Sequence, residues 1–242
     1  YLNKMSIFFS HPTGNQFSRA ALKSLQNENL LSSFYTSVAV FNNDISDQLA
    51  NFKPFSELRR RKFDDCLKPY IKQYPYKELV RIVASKLRLS KLTLHEKGKY
   101  SVDAVYHYLD RKVGSTISNS KNDSLKGVYA YEDGALNSFK AAKQKNILAL
   151  YDLPIGYWRT KKRLLSEEKE KQPEWAMTLT SFKDSKTKLY RKDEELALAD
   201  HIFVASQFTA NSLMDYPTDL APIHVIPYGF PSVGHKREYD FH

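Results

Sequence analysis

The sequence predicts an α/β fold, namely a Rossmann-like domain with a mainly parallel sheet and helices on both faces. Short apolar runs alternate with amphipathic helical stretches along the 242 residues, and strands separated by helices pair in parallel. The clearest case lies near the C-terminus, where apolar runs at 202–205 and 223–226 flank a predicted helix at 207–214. These three segments predict one right-handed βαβ unit.

The first predicted strand covers residues 7–9, and a turn at 10–15 leads into a helix with Phe17 and Leu25 on one face. A helix N-terminus that follows a first strand favours an anion, because its N–H groups are free. The turn has Gly14 as its one glycine, so the G-x-G-x-x-G fingerprint of dehydrogenases is absent. Gly14 either lets the backbone approach a phosphate or simply permits the turn.

A second strand is predicted at 33–40, and a strongly basic segment follows it. Between residues 57 and 91 there are eleven Lys or Arg and four Asp or Glu, which is +7 of the chain's +10. The segment includes the tetrad Arg59, Arg60, Arg61 and Lys62 and an amphipathic helix at 79–92. It is either a solvated helix packed on its own core or a surface that binds anionic lipid, where each cation contributes roughly 1 kcal/mol.

Carboxylates follow two neighbouring predicted strands. The strand at 127–131 ends at Glu132, Asp133 and Gly134, and the strand at 147–151 ends at Asp152. Ligands bind at the carboxyl edge of an open α/β sheet, so Asp152 and then Glu132 are the best acid–base candidates. The alternative for Asp133 and Asp152 is an Asx turn, in which the carboxylate accepts its own backbone N–H.

Trp158 and Arg159 come shortly after Asp152. Aromatic rings stack on sugar faces and Arg binds phosphate with two parallel hydrogen bonds, although core packing is the commoner role of a Trp. The histidines lack a metal-ligand spacing such as His-Glu-x-x-His, so we expect neither a metal nor a cofactor. One cysteine, Cys66, and no run of about 20 apolar residues favour a cytoplasmic protein, with any membrane contact peripheral on the inner face.

The order of motifs near the C-terminus resembles a known family. Glu194-Glu195, Ala199-Asp200, a strand, Ser206 with Phe208, a helix, a strand and the turn Ile226-Pro227-Tyr228-Gly229 resemble the end of the N-terminal domain in family 4 glycosyltransferases of the GT-B fold. The run YDLPIGYW at 151–158 also resembles a family segment that often carries a histidine beside the sugar site. Tyr151 stands where that histidine would be, and Asp152 matches the pattern.

The resemblance implies that residues 1–231 form the acceptor-side half of a GT-B enzyme, with a basic helical insertion at about 55–95, and that 232–242 lead to a second domain. The implied reaction is transfer of a sugar from a nucleotide-diphospho-sugar to a saccharide or lipid-linked acceptor, in cell-surface polysaccharide or glycolipid synthesis. The donor would be held mainly by the second domain, without which we expect the chain to be inactive. The implied cleft residues are His11, Thr13, Gly14, Asn15, Asp133, Tyr151, Trp158, Arg159 and Ser206.

The alternative is a non-enzymatic nucleic-acid-binding domain. A pI near 9.4 and aromatic residues among the cations favour it. No recognised nucleic-acid motif occurs, and the segments at 151–158 and 226–230 would then have no explanation. Continuation of the gene into a second α/β domain would favour the transferase.

Overall fold

The computed structural model describes residues 5–174 and 184–229, which form a single open sheet of seven parallel strands. The strand order is β3-β2-β1-β4-β5-β6-β7, and it reverses direction between β1 and β4. The predicted Rossmann-like fold with a parallel sheet is therefore confirmed. The strands are β1 (Ser6–Ser10), β2 (Leu31–Thr36), β3 (Ile71–Gln73), β4 (Leu125–Tyr131), β5 (Leu148–Leu153), β6 (His201–Val204) and β7 (Ile223–Val225).

Helices connect the strands and cover both faces of the sheet. On one face, Val128 and Tyr151 pack among buried side chains that include Phe139 and Leu196. On the other face, Phe9 packs with buried residues of the first helix and of the segment before β3. The helices are α1 (Gln16–Asn27), α2 (Ile45–Asn51), α3 (Tyr76–Lys86), α4 (Ser90–Thr93), α5 (Val102–Ser118), α6 (Leu136–Gln144), α7 (Trp158–Lys171), α8 (Lys186–Leu198) and α9 (Gln207–Ser212).

Two connections differ from the prediction. Strand β2 ends at Thr36, and Val38 and Val40 beyond it are buried in a separate small core with Ile82. The basic segment, predicted as a helical insertion, contains the edge strand β3 in addition to helices, which are α3, α4 and two 3₁₀ helices at 53–61 and 65–70. It forms the ordinary connections from β2 to β3 and from β3 to β4. The expected linker at 232–242 lies outside the described residues.

The tetrad at 59–62 is held by contacts within the domain. Arg61 is 5% exposed and pairs with Glu78, itself 2% exposed. Arg59 donates from Nε to the carbonyl oxygen of Ala50 at 3.2 Å. The prediction that Arg61 contributes to a membrane surface is therefore wrong, because its guanidinium is buried in an ion pair. In the described ranges, every helix is too short or too polar to cross a bilayer.

Candidate functional site

A cleft of about 470 Å³ opens at the carboxyl edge of the sheet, where the strand order reverses between β1 and β4. In open α/β sheets this is the place where ligands bind. Three of the predicted turns meet there, as the sequence led us to expect. The turn after β1 contributes His11, Thr13 and Asn15, the turn after β4 contributes Glu132 and Asp133, and the turn after β5 contributes Pro154.

His11 is a neutral hydrogen-bond donor in this cleft. Its Nδ1 accepts backbone N–H bonds from Thr13 at 3.1 Å and from Gly14 at 2.8 Å. An acceptor nitrogen carries no hydrogen, so the hydrogen of the neutral ring resides on Nε2. Burial, assisted by the positive charge of Arg61, lowers the pKa of His11 to about 4. The ring is therefore uncharged at neutral pH, and Nε2 is its donor.

The turn after β1 uses its own backbone donors. Besides the two N–H groups bound to His11, the N–H of Ser18 donates to Oδ1 of Asn15 at 2.8 Å. Gly14 has φ +62°, and a Cβ on it would lie 2.2 Å from Cζ of Phe63. Gly14 therefore permits the turn and the packing of Phe63. The N–H groups of Thr13, Gly14 and Ser18 are therefore not available to a phosphate.

The turn after β4 supplies two carboxylates, which two lysines of α8 neutralise in part. Nζ of Lys192 lies 3.1 Å from Oε2 of Glu132 and 3.6 Å from Oδ2 of Asp133. Nζ of Lys188 lies 2.8 Å from Oδ1 of Asp103 and 3.6 Å from Oδ2 of Asp133. The lysines are four residues apart, so they lie on the same side of the helix. Neither lysine was predicted, although their spacing is visible in the sequence.

The ionisation of these groups reflects burial and pairing. Burial raises the pKa of the Glu132 carboxyl above its usual value, while the neighbouring Lys192 acts in the opposite direction. Burial lowers the pKa of Lys192, but the carboxylates of Glu132 and Asp133 outweigh this and raise it overall. The pKa of Lys188 is raised for the same reason, by Asp133 and Asp103 against burial. Both ammonium groups are charged at neutral pH.

Glu195 holds the turn after β4 in place. Its buried carboxylate accepts backbone N–H bonds from Asp133 at 2.9 Å, Ala135 at 3.1 Å and Leu136 at 3.2 Å. It thereby satisfies free donors at the start of α6, and burial raises the pKa of this carboxyl to about 8 against the opposing charge of Arg191. Asp133 itself has φ +69°, a left-handed conformation that is strained for a non-glycine residue. Glu195, which entered the sequence analysis through the family resemblance, is thus a positioning residue.

Asp152 is not among the residues that line the cleft. Strand side chains alternate between faces, so Asp152 lies on the face opposite to Tyr151, where Tyr129 donates its hydroxyl to Oδ2 at 2.7 Å. Burial raises the pKa of Asp152 to about 6, against the hydrogen bonds from Tyr129 and Tyr131. The ring of Tyr131, whose centroid is 4.6 Å from that of His11, lines the cleft, and the Tyr131 hydroxyl hydrogen bonds to Asp152.

Three other predicted cleft residues have structural contacts. Tyr151 is fully buried in the core against Phe139, so its predicted place in the cleft is wrong. Ser206 accepts the N–H of Thr209 at 3.1 Å and caps α9. Trp158 donates from Nε1 to Oδ1 of Asp193 at 2.7 Å.

Arg159 and Trp158 both bind the carboxylate of Asp193. Arg159 binds Oδ2 of Asp193 at 2.7 Å, and its guanidinium lies 4.3 Å from the centre of the Trp158 ring. This arrangement joins the start of α7 to α8. Trp158 also lines a small neighbouring pocket of about 80 Å³ together with Glu132 and Lys192.

One group of possible metal ligands lies at the rim of the cleft. Ligand atoms of His95, Glu96 and Asp184 come within 4.8 Å of one another. The group is already engaged, because Glu96 accepts hydrogen bonds from Ser185 and Nζ of Lys188 lies 3.4 Å from Oδ1 of Asp184. A positive charge at that distance disfavours a second cation.

No protein-family model matches the sequence, and no curated protein matches it. Among solved structures, the chain is similar to UGT2 of Phytolacca americana, which was solved with UDP-2-fluoro-glucose and pterostilbene. The two share 10% sequence identity with a TM-score of 0.45, and the match covers 95% of this chain and 55% of that one. It is also similar to a UDP-glucosyltransferase from Polygonum tinctorium capable of glucosylating indoxyl, solved with 3,4-dichloroaniline, at 9% identity and a TM-score of 0.43, over 98% of this chain and 55% of that one. The chain therefore spans about half the length of these two proteins.

Proposed function

We propose that the chain is the acceptor-binding domain of a GT-B glycosyltransferase that uses a nucleotide-diphospho-sugar. The observation that carries the proposal is the cleft between β1 and β4, in which a neutral histidine donor, His11, and a buried carboxylate, Glu132, face the same space. An acceptor hydroxyl needs both a donor that orients it and a base that takes its proton. The motif order at 194–229 and the segment at 151–158 support the family assignment.

The charge of the cleft favours an acceptor over the donor. Asp103, Glu132 and Asp133 line it together with a single lysine, Lys188, and Lys192 adds a second ammonium group behind them. Carboxylates repel a diphosphate, and at the turn after β1 the N–H groups of Thr13, Gly14 and Ser18 are already bound to His11 and Asn15. The nucleotide diphosphate would accordingly be held by a second domain, while sugar hydroxyls hydrogen bond to the carboxylates here.

We assign the base to Glu132. As the acceptor oxygen bonds to the anomeric carbon of the donor sugar, the nucleoside diphosphate leaves with the electron pair of the broken bond, and the hydroxyl proton passes to the Glu132 carboxylate. Nε2–H of His11 would hold the acceptor by donating to one of its oxygens. Asp152, our first candidate from sequence, is less suited to this role because it does not line the cleft and its carboxylate is engaged by the hydroxyls of Tyr129 and Tyr131.

The proposed acceptor is a saccharide or a lipid-linked saccharide of cell-surface polysaccharide or glycolipid synthesis, as the family resemblance implies. The test is to titrate the purified chain with neutral oligosaccharides and with nucleoside diphosphates while recording NMR spectra. We expect weak oligosaccharide binding that shifts the signals of His11, Thr13 and Asp133, and no comparable binding of nucleoside diphosphate.

Glu132→Gln should abolish the shifts that saccharides cause in the NMR signals. The control is Glu194→Gln, which changes an exposed residue next to Glu195 and should leave those shifts unchanged. Tight binding of a nucleoside diphosphate in this cleft would contradict the proposal. So would turnover of a nucleotide sugar by the 242-residue chain alone, since we expect activity only when a second domain is joined to it.

A further inference from the structure

The turn between α3 and α4 is the most exposed amphiphilic feature of the basic segment. Residues 85–91, with the sequence SKLRLSK, are all exposed and hold three cations and no carboxylate. Leu87 is 64% exposed and Leu89 is 46% exposed, on either side of Arg88. We call residues 85–91 the basic knuckle. Two leucines exposed between cations cost free energy in water unless a partner covers them.

The basic knuckle is a defined turn. The N–H of Leu89 donates to the carbonyl oxygen of Ala84 at 2.9 Å, and the N–H of Arg88 donates to that of Ser85 at 3.2 Å. This pair of bonds is a Schellman motif, which usually has glycine at the left-handed position. Here Arg88 occupies it with φ +55°. The backbone therefore holds Leu87, Arg88 and Leu89 outward in a fixed arrangement.

The cations of the knuckle differ from those of the tetrad at 59–62. Arg61 is buried in an ion pair, and Lys62 lies 3.7 Å from Asp47. Within residues 5–174 and 184–229, the side chains of Arg88 and Lys91 form no salt bridge and no hydrogen bond. Their charges are thus free to attract an external anion.

We propose that the basic knuckle docks on an anionic lipid bilayer, with Leu87 and Leu89 in the headgroup region and Arg88 and Lys91 on the lipid phosphates. A bilayer interface accepts apolar side chains and cations from the same small surface. Nucleic acid offers phosphates but no apolar environment in which two leucines could be buried. This inference does not depend on the proposed transferase activity.

Docking in this way places the cleft beside the membrane. Leu94, which is 53% exposed, follows α4 and precedes His95, a residue of the cleft. Val102, 55% exposed, also lines the cleft. Exposed apolar side chains thus follow the knuckle in the chain up to residues that line the cleft, and an acceptor with a lipid tail could enter the cleft from the interface.

The test is cosedimentation of the 242-residue chain with phosphatidylcholine vesicles that contain about 30% phosphatidylglycerol, at low and high salt. Arg88→Glu with Lys91→Glu should lower the partition coefficient at least tenfold, since each cation near such a surface is worth roughly fivefold. Leu87→Ser with Leu89→Ser should lower it roughly fivefold or more, including at high salt, because burial of apolar area is not screened. All four side chains are exposed, so the variants should fold, which circular dichroism checks.

The matched control is Arg59→Glu with Arg60→Glu, which makes the same change of net charge at exposed positions outside the knuckle. It should reduce vesicle binding less than the knuckle pair does. Equal loss in the two pairs, or no binding of the wild-type chain to anionic vesicles, would overturn the proposal. It would also fail if the leucine pair had no effect, or if the knuckle charges governed retention on single-stranded DNA and not on vesicles.

Discussion

Glu132 and Asp152 lie side by side in the backbone, yet they occupy opposite environments. The N–H of Glu132 donates to the carbonyl oxygen of Asp152 at 3.2 Å, at the same edge of the sheet. Glu132 faces the cleft among lysines and carboxylates, whereas Asp152 faces tyrosine rings on the other side. The end of a strand therefore does not by itself make a carboxylate part of a site. Asp152 is engaged by the hydroxyls of Tyr129 and Tyr131, and Tyr131 lines the cleft while Asp152 does not.

The largest expected difference between the two carboxyls is in catalysis. In the complete transferase, Glu132→Gln should lower kcat by about 10²- to 10⁴-fold, because the amide cannot accept the hydroxyl proton. Asp152→Asn should change kcat by less than about fivefold, because Asn still accepts the Tyr129 hydroxyl. Steady-state kinetics on folded protein measure both. The reverse order of effects would restore Asp152 as the base and remove Glu132 from that role.

The stability of the turn after β4, which carries Glu132, should depend strongly on Glu195. Glu195→Ala removes the acceptor of three backbone N–H bonds and leaves Arg191 with one carboxylate fewer. We expect it to lower the free energy of unfolding by about 3–5 kcal/mol, as measured by urea denaturation. Glu194→Ala, next to it but 56% exposed, is the control. It should change stability by less than about 1 kcal/mol, and a similar loss in both variants would mean that Glu195 does not anchor the turn.

His11 and Asp152 should make the free energy of unfolding change with pH in opposite directions. The pKa of His11 falls from 6.5 to about 4 on folding, so the unfolded chain binds more protons between these values and the free energy of unfolding rises with pH. The pKa of Asp152 rises from 3.8 to about 6, so the folded chain binds more protons and the free energy of unfolding falls with pH. Each contribution is about 3 kcal/mol and they largely cancel in the wild type.

Single substitutions should expose these contributions. Asp152→Asn removes the Asp152 effect, so its change in stability from pH 4 to pH 6 should be more positive than that of the wild type. His11→Gln removes the His11 effect, so its change in stability over the same interval should be more negative than that of the wild type. Thermal unfolding at a series of pH values measures both, and parallel profiles for the two variants would refute the assigned environments.

The sequence was sufficient for the architecture but not for every contact. The βαβ unit at β6, α9 and β7 was predicted because the apolar runs are short and the capping residue Ser206 is local information. Strand β3 was missed, because it is a three-residue edge strand whose side chains carry no apolar pattern. Tyr151 was misplaced because strand parity, not proximity to Asp152, sets where a side chain points.

The candidate site depended on long-range packing. That three turns converge followed from the parallel sheet, and His11 and Glu132 were found in this way. Lys188, Lys192 and Glu195 reach the cleft because α8 packs on α6 and β5, and no local pattern states which helix covers which strand. The spacing of residues 186–198 could have predicted which of them face solvent and which face the cleft. It could not have predicted the residues that they contact.

The ion pairs of α8 also determine chemical reactivity. An amine attacks an acylating reagent only when it has lost its proton, and the raised pKa values of Lys188 and Lys192 keep both protonated. Both are also largely shielded, with 12% and 8% of their side chains exposed. Lysines such as Lys91 on the surface will be modified first, and these two last. The order in which lysines are labelled therefore reports whether the cleft is intact.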